Sequence, residues 1–149
     1  MTFKFTKLGS LLVASLFNAA AHVRAIDESK LLSCIAQVET GTTDLDKPCR
    51  KIGRQGERSA WQIKSGTWRQ YTTAPFTLAS TSTYEANLVA AAHLRLLRIH
   101  LEFGLNHSSP YLIALAWNAG IDRVVKNKVP AAAHEYAQRV TNLYEAERR

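Results

Sequence analysis

Residues that start and stop α-helices divide this chain more sharply than any other pattern in it. Asp27 or Ser29 can cap a first helix, with Glu28 placed for the positive end of its dipole. Ser65 can cap a short helix through Trp68 to Tyr71, which Pro75 keeps from running far. Ser82-Thr83-Tyr84-Glu85 has the spacing of a capping box. The helix it opens carries Leu88, Ala91, Ala92, Leu94, Leu97, Leu101 and Phe103 and is expected to end at Gly104. Ser109-Pro110 opens Tyr111 to Asn118, closed by Gly120. Pro130 opens the last helix, in which Ala133, Tyr136, Ala137, Val140 and Leu143 or Tyr144 share one face. Residues 40–60 hold Gly41, Pro48, Gly53 and Gly56 among many charges and read as an irregular loop, with room for a short β-hairpin. Residues 72–82, rich in Thr and Ser, read as a second loop. The expected class is mostly α, a compact helical domain without repeats or linkers.

The first 25 residues stand apart from that pattern. Lys4 and Lys7 give a positive start, Leu8 to Ala21 is almost uncharged, and Val23-Arg24-Ala25 ends in the small residues that suit a signal peptidase. The apolar run is well short of the ~20 residues that span a bilayer, so it reads as a cleaved secretory signal and not as an anchor. No cysteine follows it at the position of a lipoprotein. The domain would then be residues 26–149, in a periplasmic or extracellular bacterial setting, with no stable membrane insertion after cleavage. Removing Lys4, Lys7 and Arg24 takes the 19 basic side chains to 16, against 12 acidic ones. That mild excess suits an anionic polymer but is no nucleic-acid signature. Cys34 and Cys49, the only cysteines, are an even pair in an exported chain, which makes a disulfide the expectation.

The end of the first helix carries the most unusual residue. Leu31, Leu32, Ile35, Ala36 and Val38 mark its apolar stripe, and Glu39 falls four residues after Ile35 and seven after Leu32. A carboxylate stands where the repeat asks for another apolar side chain, and Thr40-Gly41 end the helix just after it. Partial desolvation and the negative end of the dipole both disfavour its ionised form, so Glu39 is suited to giving a proton. Two further stretches stand out. Gly53 and Gly56 lead into Ser59-Ala60-Trp61-Gln62-Ile63, where polar Gln62 sits between bulky apolar neighbours and can offer a ligand both donors and an acceptor. In Ala116-Trp117-Asn118-Ala119-Gly120 an aromatic ring and a carboxamide stand at a helix end, and aromatic faces pack well on sugar rings.

In order and spacing these stretches resemble the soluble lytic transglycosylase family, a branch of the lysozyme-like fold. That family's Glu-Ser-Gly segment corresponds to Glu39-Thr40-Gly41, and its Gly-Leu-Met-Gln-Ile to Ser59-Ala60-Trp61-Gln62-Ile63. Its Ala-Tyr-Asn-Ala-Gly corresponds to Ala116-Trp117-Asn118-Ala119-Gly120, often followed by Arg-Val as in Arg123-Val124. The last helix supplies Tyr136-Ala137-Gln138-Arg139-Val140 for Tyr-Val-x-x-Val. The resemblance implies an exported enzyme that cleaves peptidoglycan glycan strands between N-acetylmuramic acid and N-acetylglucosamine. Glu39 would be the single acid and base, and the product would carry a 1,6-anhydro end. Gln62, Trp117, Asn118, Tyr136, Thr40 and Trp61 would bind the substrate. It implies no metal or other cofactor, no nucleic acid, and a monomer.

Ser59 for glycine, Trp61 for methionine and Lys64 beside the expected cleft depart from the family pattern. A hydrolytic muramidase of the same fold is the nearest alternative. It needs a second carboxylate, for which Asp44 and Asp46 are the candidates by sequence. A wall-binding module that keeps the cleft without the chemistry is the other. His93 and His100 are seven residues apart on one helix, about 10 Å along its axis and too far for one metal ion.

Overall fold

The computed structural model describes residues 25–146, so the expected signal segment lies, apart from Ala25, outside the described residues. Seven helices follow in order: α1 Glu28–Thr40, α2 Ser65–Tyr71, α3 Leu78–Thr81, α4 Thr83–Leu105, α5 Pro110–Ala119, α6 Ile121–Val125 and α7 Ala131–Ala146. The class is mostly α, as expected. The anticipated hairpin is reduced to a single antiparallel bridge between Arg58 and Ile63. Among the described residues no helix is long and apolar enough to cross a membrane.

Local chemistry sets most of the boundaries. Asp27 caps α1 by accepting from the Lys30 N–H, and Ser82 caps α4 by accepting from the Glu85 N–H. Ser109 caps α5, with Pro110 at its first position. Ser65 is the first residue of α2 and not its cap, which is Lys64 without a side-chain bond. Two further expectations about helix bounds fail. Leu78–Thr81 forms one helical turn inside the supposed loop, tied by the Ser82 N–H to the Leu78 carbonyl. Gly104 does not end α4: it lies inside the last turn, close under Val125, and the terminator is Asn106 in a left-handed conformation.

The core is organised around α5, whose Ile113, Ala114, Leu115 and Ala116 are all buried. A short helix that is apolar on every side can be stable only if other elements surround it. Here α7 and α4 pack on it, and α1 packs on both α7 and α4. The buried stripe of α4 is Ala86, Val89, Ala90, Leu94, Leu97 and Leu101, steps of three and four residues. Leu88 and Phe103 fall off that stripe and are exposed, Phe103 to 89%. Across the open side, Glu28 of α1 bonds Arg95 Nε at 2.8 Å and Arg98 Nη1 at 2.7 Å on α4. Those arginines clamp two helices together.

The expected Cys34–Cys49 disulfide is absent. Cys34 points into the core from α1, 1% exposed, whereas Cys49 belongs to the loop that passes over Ser59, Ala60 and Trp61. The Thr42 hydroxyl approaches the Cys49 sulfur at 3.8 Å, which holds the loop on that side. Cys49 packs against the same core that contains Cys34, but the two are not bonded.

The start of α1 is joined to α7 by a bond from the Asp27 backbone N–H to the Tyr144 hydroxyl at 2.9 Å. Tyr144 is buried on α7 and Lys30 sits over its ring, so removing the oxygen strands a donor at the mouth of α1. Tyr144→Phe is expected to cost about 1 kcal/mol, seen as a melting temperature lower by a few degrees. An unchanged melt would show that the clasp contributes nothing.

Candidate active site

An open cleft of about 720 Å³ runs between the loop of residues 53–64, the middle of α4 and the α5–α6 junction. Glu39 lies in it at the end of α1. The helix stops there because Gly41, at φ 76°, takes the left-handed conformation and returns its N–H to the Gln37 carbonyl. Gly120, at φ 89° and ψ 142°, does the corresponding service at the end of α5, in a region that side-chain-bearing residues avoid. Its turn leaves Trp117 and Asn118 facing the cleft and starts α6 at once.

Glu39 is half-buried, and burial is the main reason its carboxyl is held above its ordinary range. The negative charge of Glu57 adds to the rise, while the Tyr136 hydroxyl, Arg139 and Lys51 act against it. Tyr136 comes from α7 and is 4% exposed. Its hydroxyl has no partner at normal hydrogen-bond geometry, yet lies close enough to the Glu39 carboxyl for the two to influence each other's ionisation. Burial and the Glu39 charge together push the phenol well above its usual pKa, so it stays a neutral donor aimed at the acid.

Four of the residues expected at a binding site are thus gathered around Glu39: Gln62, Trp117 and Asn118 on the cleft and Tyr136 behind the carboxyl. Gln62 is partly committed. Its amide nitrogen donates to the Ser59 carbonyl at 3.1 Å and the Lys51 carbonyl at 3.4 Å, and its oxygen lies over Gly53. The other two belong to the framework. Trp61 is 2% exposed and gives its indole N–H to the Leu32 carbonyl on α1 at 3.0 Å, so the loop is pinned to α1 by a core side chain. The Thr40 hydroxyl lies within bonding distance of the Ala36 and Ala60 carbonyls and of Thr42 Oγ1. It joins the end of α1 to the same loop.

Ser59 takes a backbone conformation that favours glycine. Its φ is 73°, and it is buried. A non-glycine residue there is strained. The Ser59 hydroxyl offsets part of that by accepting from the Trp61 N–H at 3.2 Å.

Two residues in the cleft escape the sequence reading. His93, half-buried on α4, has Nδ1 3.0 Å from the Tyr71 hydroxyl and packs edge-on to Trp117 at 5.0 Å between ring centroids. Burial drives its pKa down to about 4, so the ring is neutral at physiological pH. The signal was its place one residue before Leu94 on the buried stripe. Glu57 is the second, at 16% side-chain exposure. Asp44 and Asp46, the carboxylates favoured by sequence, are exposed in the loop, with Asp44 bonded to Lys47 at 2.8 Å. Neither lines the cleft. Among the described residues no three His, Cys, Asp or Glu side chains form a metal-binding group.

Comparison with protein-family models, with characterised proteins and with solved structures finds no match to this chain.

Glu39 and His93 predict opposite pH effects on stability. Folding raises the Glu39 pKa, so its stabilising share is present below about 4.5 and is lost as pH rises through the raised value. Glu39→Gln should therefore melt no lower than the wild type at pH 7, with any advantage shrinking towards pH 4. Folding lowers the His93 pKa, so its share is present above 6.5 and is lost as pH falls through about 4. His93→Gln should flatten the acid side of the stability profile in that window. Thermal melts at stepped pH distinguish the two effects, and parallel profiles for all three proteins would refute both assignments.

Proposed function

We propose that this chain is an exported enzyme that cleaves the glycan strands of peptidoglycan, with a lysozyme-like arrangement of helices around its cleft. The observation that carries the reading is Glu39: a half-buried carboxyl of raised pKa at a helix end, inside an open cleft and backed by the buried Tyr136 hydroxyl. A carboxyl that keeps its proton to higher pH than usual suits the breaking of a glycosidic bond, because the leaving oxygen must gain a proton as the bond opens. The Trp117 face and the Asn118 side chain supply the flat apolar surface and the amide contacts that a sugar and its N-acetyl group call for.

The sequence resemblance supplies the rest of the scheme. Glu39 protonates the bridging oxygen between N-acetylmuramic acid and N-acetylglucosamine. In the family's scheme it would then accept the proton of the muramyl 6-hydroxyl as that oxygen bonds to the anomeric carbon. That scheme gives a 1,6-anhydro end and calls for no second carboxylate and no cofactor. Hydrolysis in the same cleft is the second reading, and Glu57 is the observation that favours it.

Glu39→Gln conserves shape and removes the ionisable proton, so a loss of rate reports chemistry and not packing. It should clear suspensions of purified cell walls at least ~100-fold more slowly than the wild type. Wild-type activity should fall as pH rises through the Glu39 pKa, because only the protonated carboxyl works. Clearance by the variant within a few-fold of wild type would remove Glu39 from the mechanism.

A further inference from the structure

The loop of residues 53–63 is held shut at both ends. The Gly53 N–H bonds the Glu57 carbonyl at 2.9 Å, and Arg58 and Ile63 exchange backbone bonds at 2.9 and 2.8 Å. At the turn between them the Glu57 side chain folds inward, away from solvent. One carboxylate oxygen accepts the Gln55 N–H at 2.9 Å, and the other lies 3.9 Å from the Lys64 ammonium. Both neighbours are donors, and together they fix where the carboxylate lies. The group lies directly over the Gly53 Cα, beside the Gln62 amide oxygen, and a methyl at Gly53 would overlap both. Gly53 is bare at the place the carboxylate occupies, on the wall of the cleft that contains Glu39.

We propose that Glu57 is a second catalytic carboxylate, which holds and deprotonates the water that attacks the anomeric carbon, making this cleft hydrolytic. The inference rests on glycan cleavage by Glu39 and replaces only its second half, the 6-hydroxyl attack. Glu39 gives its proton to the bridging oxygen as the bond from the anomeric carbon breaks. Water adds to that carbon as Glu57 takes one of its protons. Solvent then returns a proton from Glu57 to Glu39, so one water is consumed for each bond cut. The two carboxyl groups have the unlike surroundings that such a division needs. Glu39 is half-buried against a neutral phenol, and Glu57 is braced by an N–H and an ammonium. Gln62, fixed by two backbone carbonyls, places its oxygen beside Glu57, where it can accept the water's other hydrogen.

The test digests purified peptidoglycan with the wild type, Glu57→Gln, Glu57→Ala, Gly53→Ala and Glu39→Gln, and identifies the released ends by mass spectrometry. Wild-type products should end in reducing N-acetylmuramic acid, heavier by one water than anhydro ends. Glu57→Gln, which keeps an acceptor for the Gln55 N–H, should lose at least ~100-fold in rate with an unchanged melting temperature. Gly53→Ala keeps the charge and displaces the carboxylate, and should show a comparable loss. Azide needs no deprotonation to attack, so adding it to Glu57→Ala should restore turnover and yield glycosyl azide. A purely structural Glu57 would give no such product. Anhydro ends as the main wild-type product, or a Glu57→Gln rate near wild type while Glu39→Gln is inactive, would overturn this inference and leave the role of Glu39 standing. Full cleavage by Glu39→Gln would overturn both.

Discussion

The contact on which the site depends is the one between the end of α1 and the face of α7, where the Glu39 carboxyl meets the Tyr136 hydroxyl. A carboxyl half out of water is costly when ionised, and it stays in place only if its helix is fixed by something stronger. Leu31, Leu32, Ile35 and Ala36 supply that, all buried in the core that α1 builds with α4 and α7. Tyr136 stands on the stripe of α7 that also buries Ala133, Ala137, Val140 and Tyr144. The acid and its phenol are therefore each the polar member of an otherwise apolar row. Moving either would mean repacking a helix.

The loop of residues 53–64 solves a different problem, which is how to hold polar groups in place without a sheet. It has one backbone bridge, two non-glycine residues at positive φ, Ser59 and Gln62, and a buried indole as its anchor. Each strained residue is compensated locally. Ser59 accepts from the Trp61 N–H, and Gln62 spends its amide nitrogen on the Ser59 and Lys51 carbonyls. Strain concentrated in one loop that faces the cleft is common where side chains must be aimed and not merely packed. What this loop aims at the cleft is Glu57 and the Gln62 oxygen.

The opposite wall gains its polarity by burial. His93 is neutral because it is enclosed between Tyr71 and Trp117, and it can present a hydrogen-bonding ring without adding charge to the cleft. The charged side chains that line the cleft are Glu39, Arg54, Glu57 and Lys64, all on α1 or the loop that follows it. Chemistry is thus concentrated on one wall, and the other offers aromatic and amide surface.

Local sequence was enough for the helices whose ends are marked by their own side chains. Asp27, Ser82, Ser109-Pro110 and Gly41 act within three or four residues of themselves, so their effect needs no tertiary partner. The carboxylate interrupting an apolar stripe was legible for the same reason: Glu39 departs from a repeat visible in the chain. Gly104 misled because its permissiveness depends on what packs over it, and Val125 is twenty-one residues away. Trp61 and Thr40 resembled binding residues by motif, yet the approach of the loop to α1 turned both into framework. Asp44 and Glu57 are both loop carboxylates, and nothing in the alphabet separates them. The fold does, by sending one to solvent beside Lys47 and the other over a bare glycine into the cleft. The chain by itself determined its helices and its acid, because those are set by near neighbours. Which other polar groups face that acid was decided only when distant segments packed, because burial and direction belong to the tertiary structure.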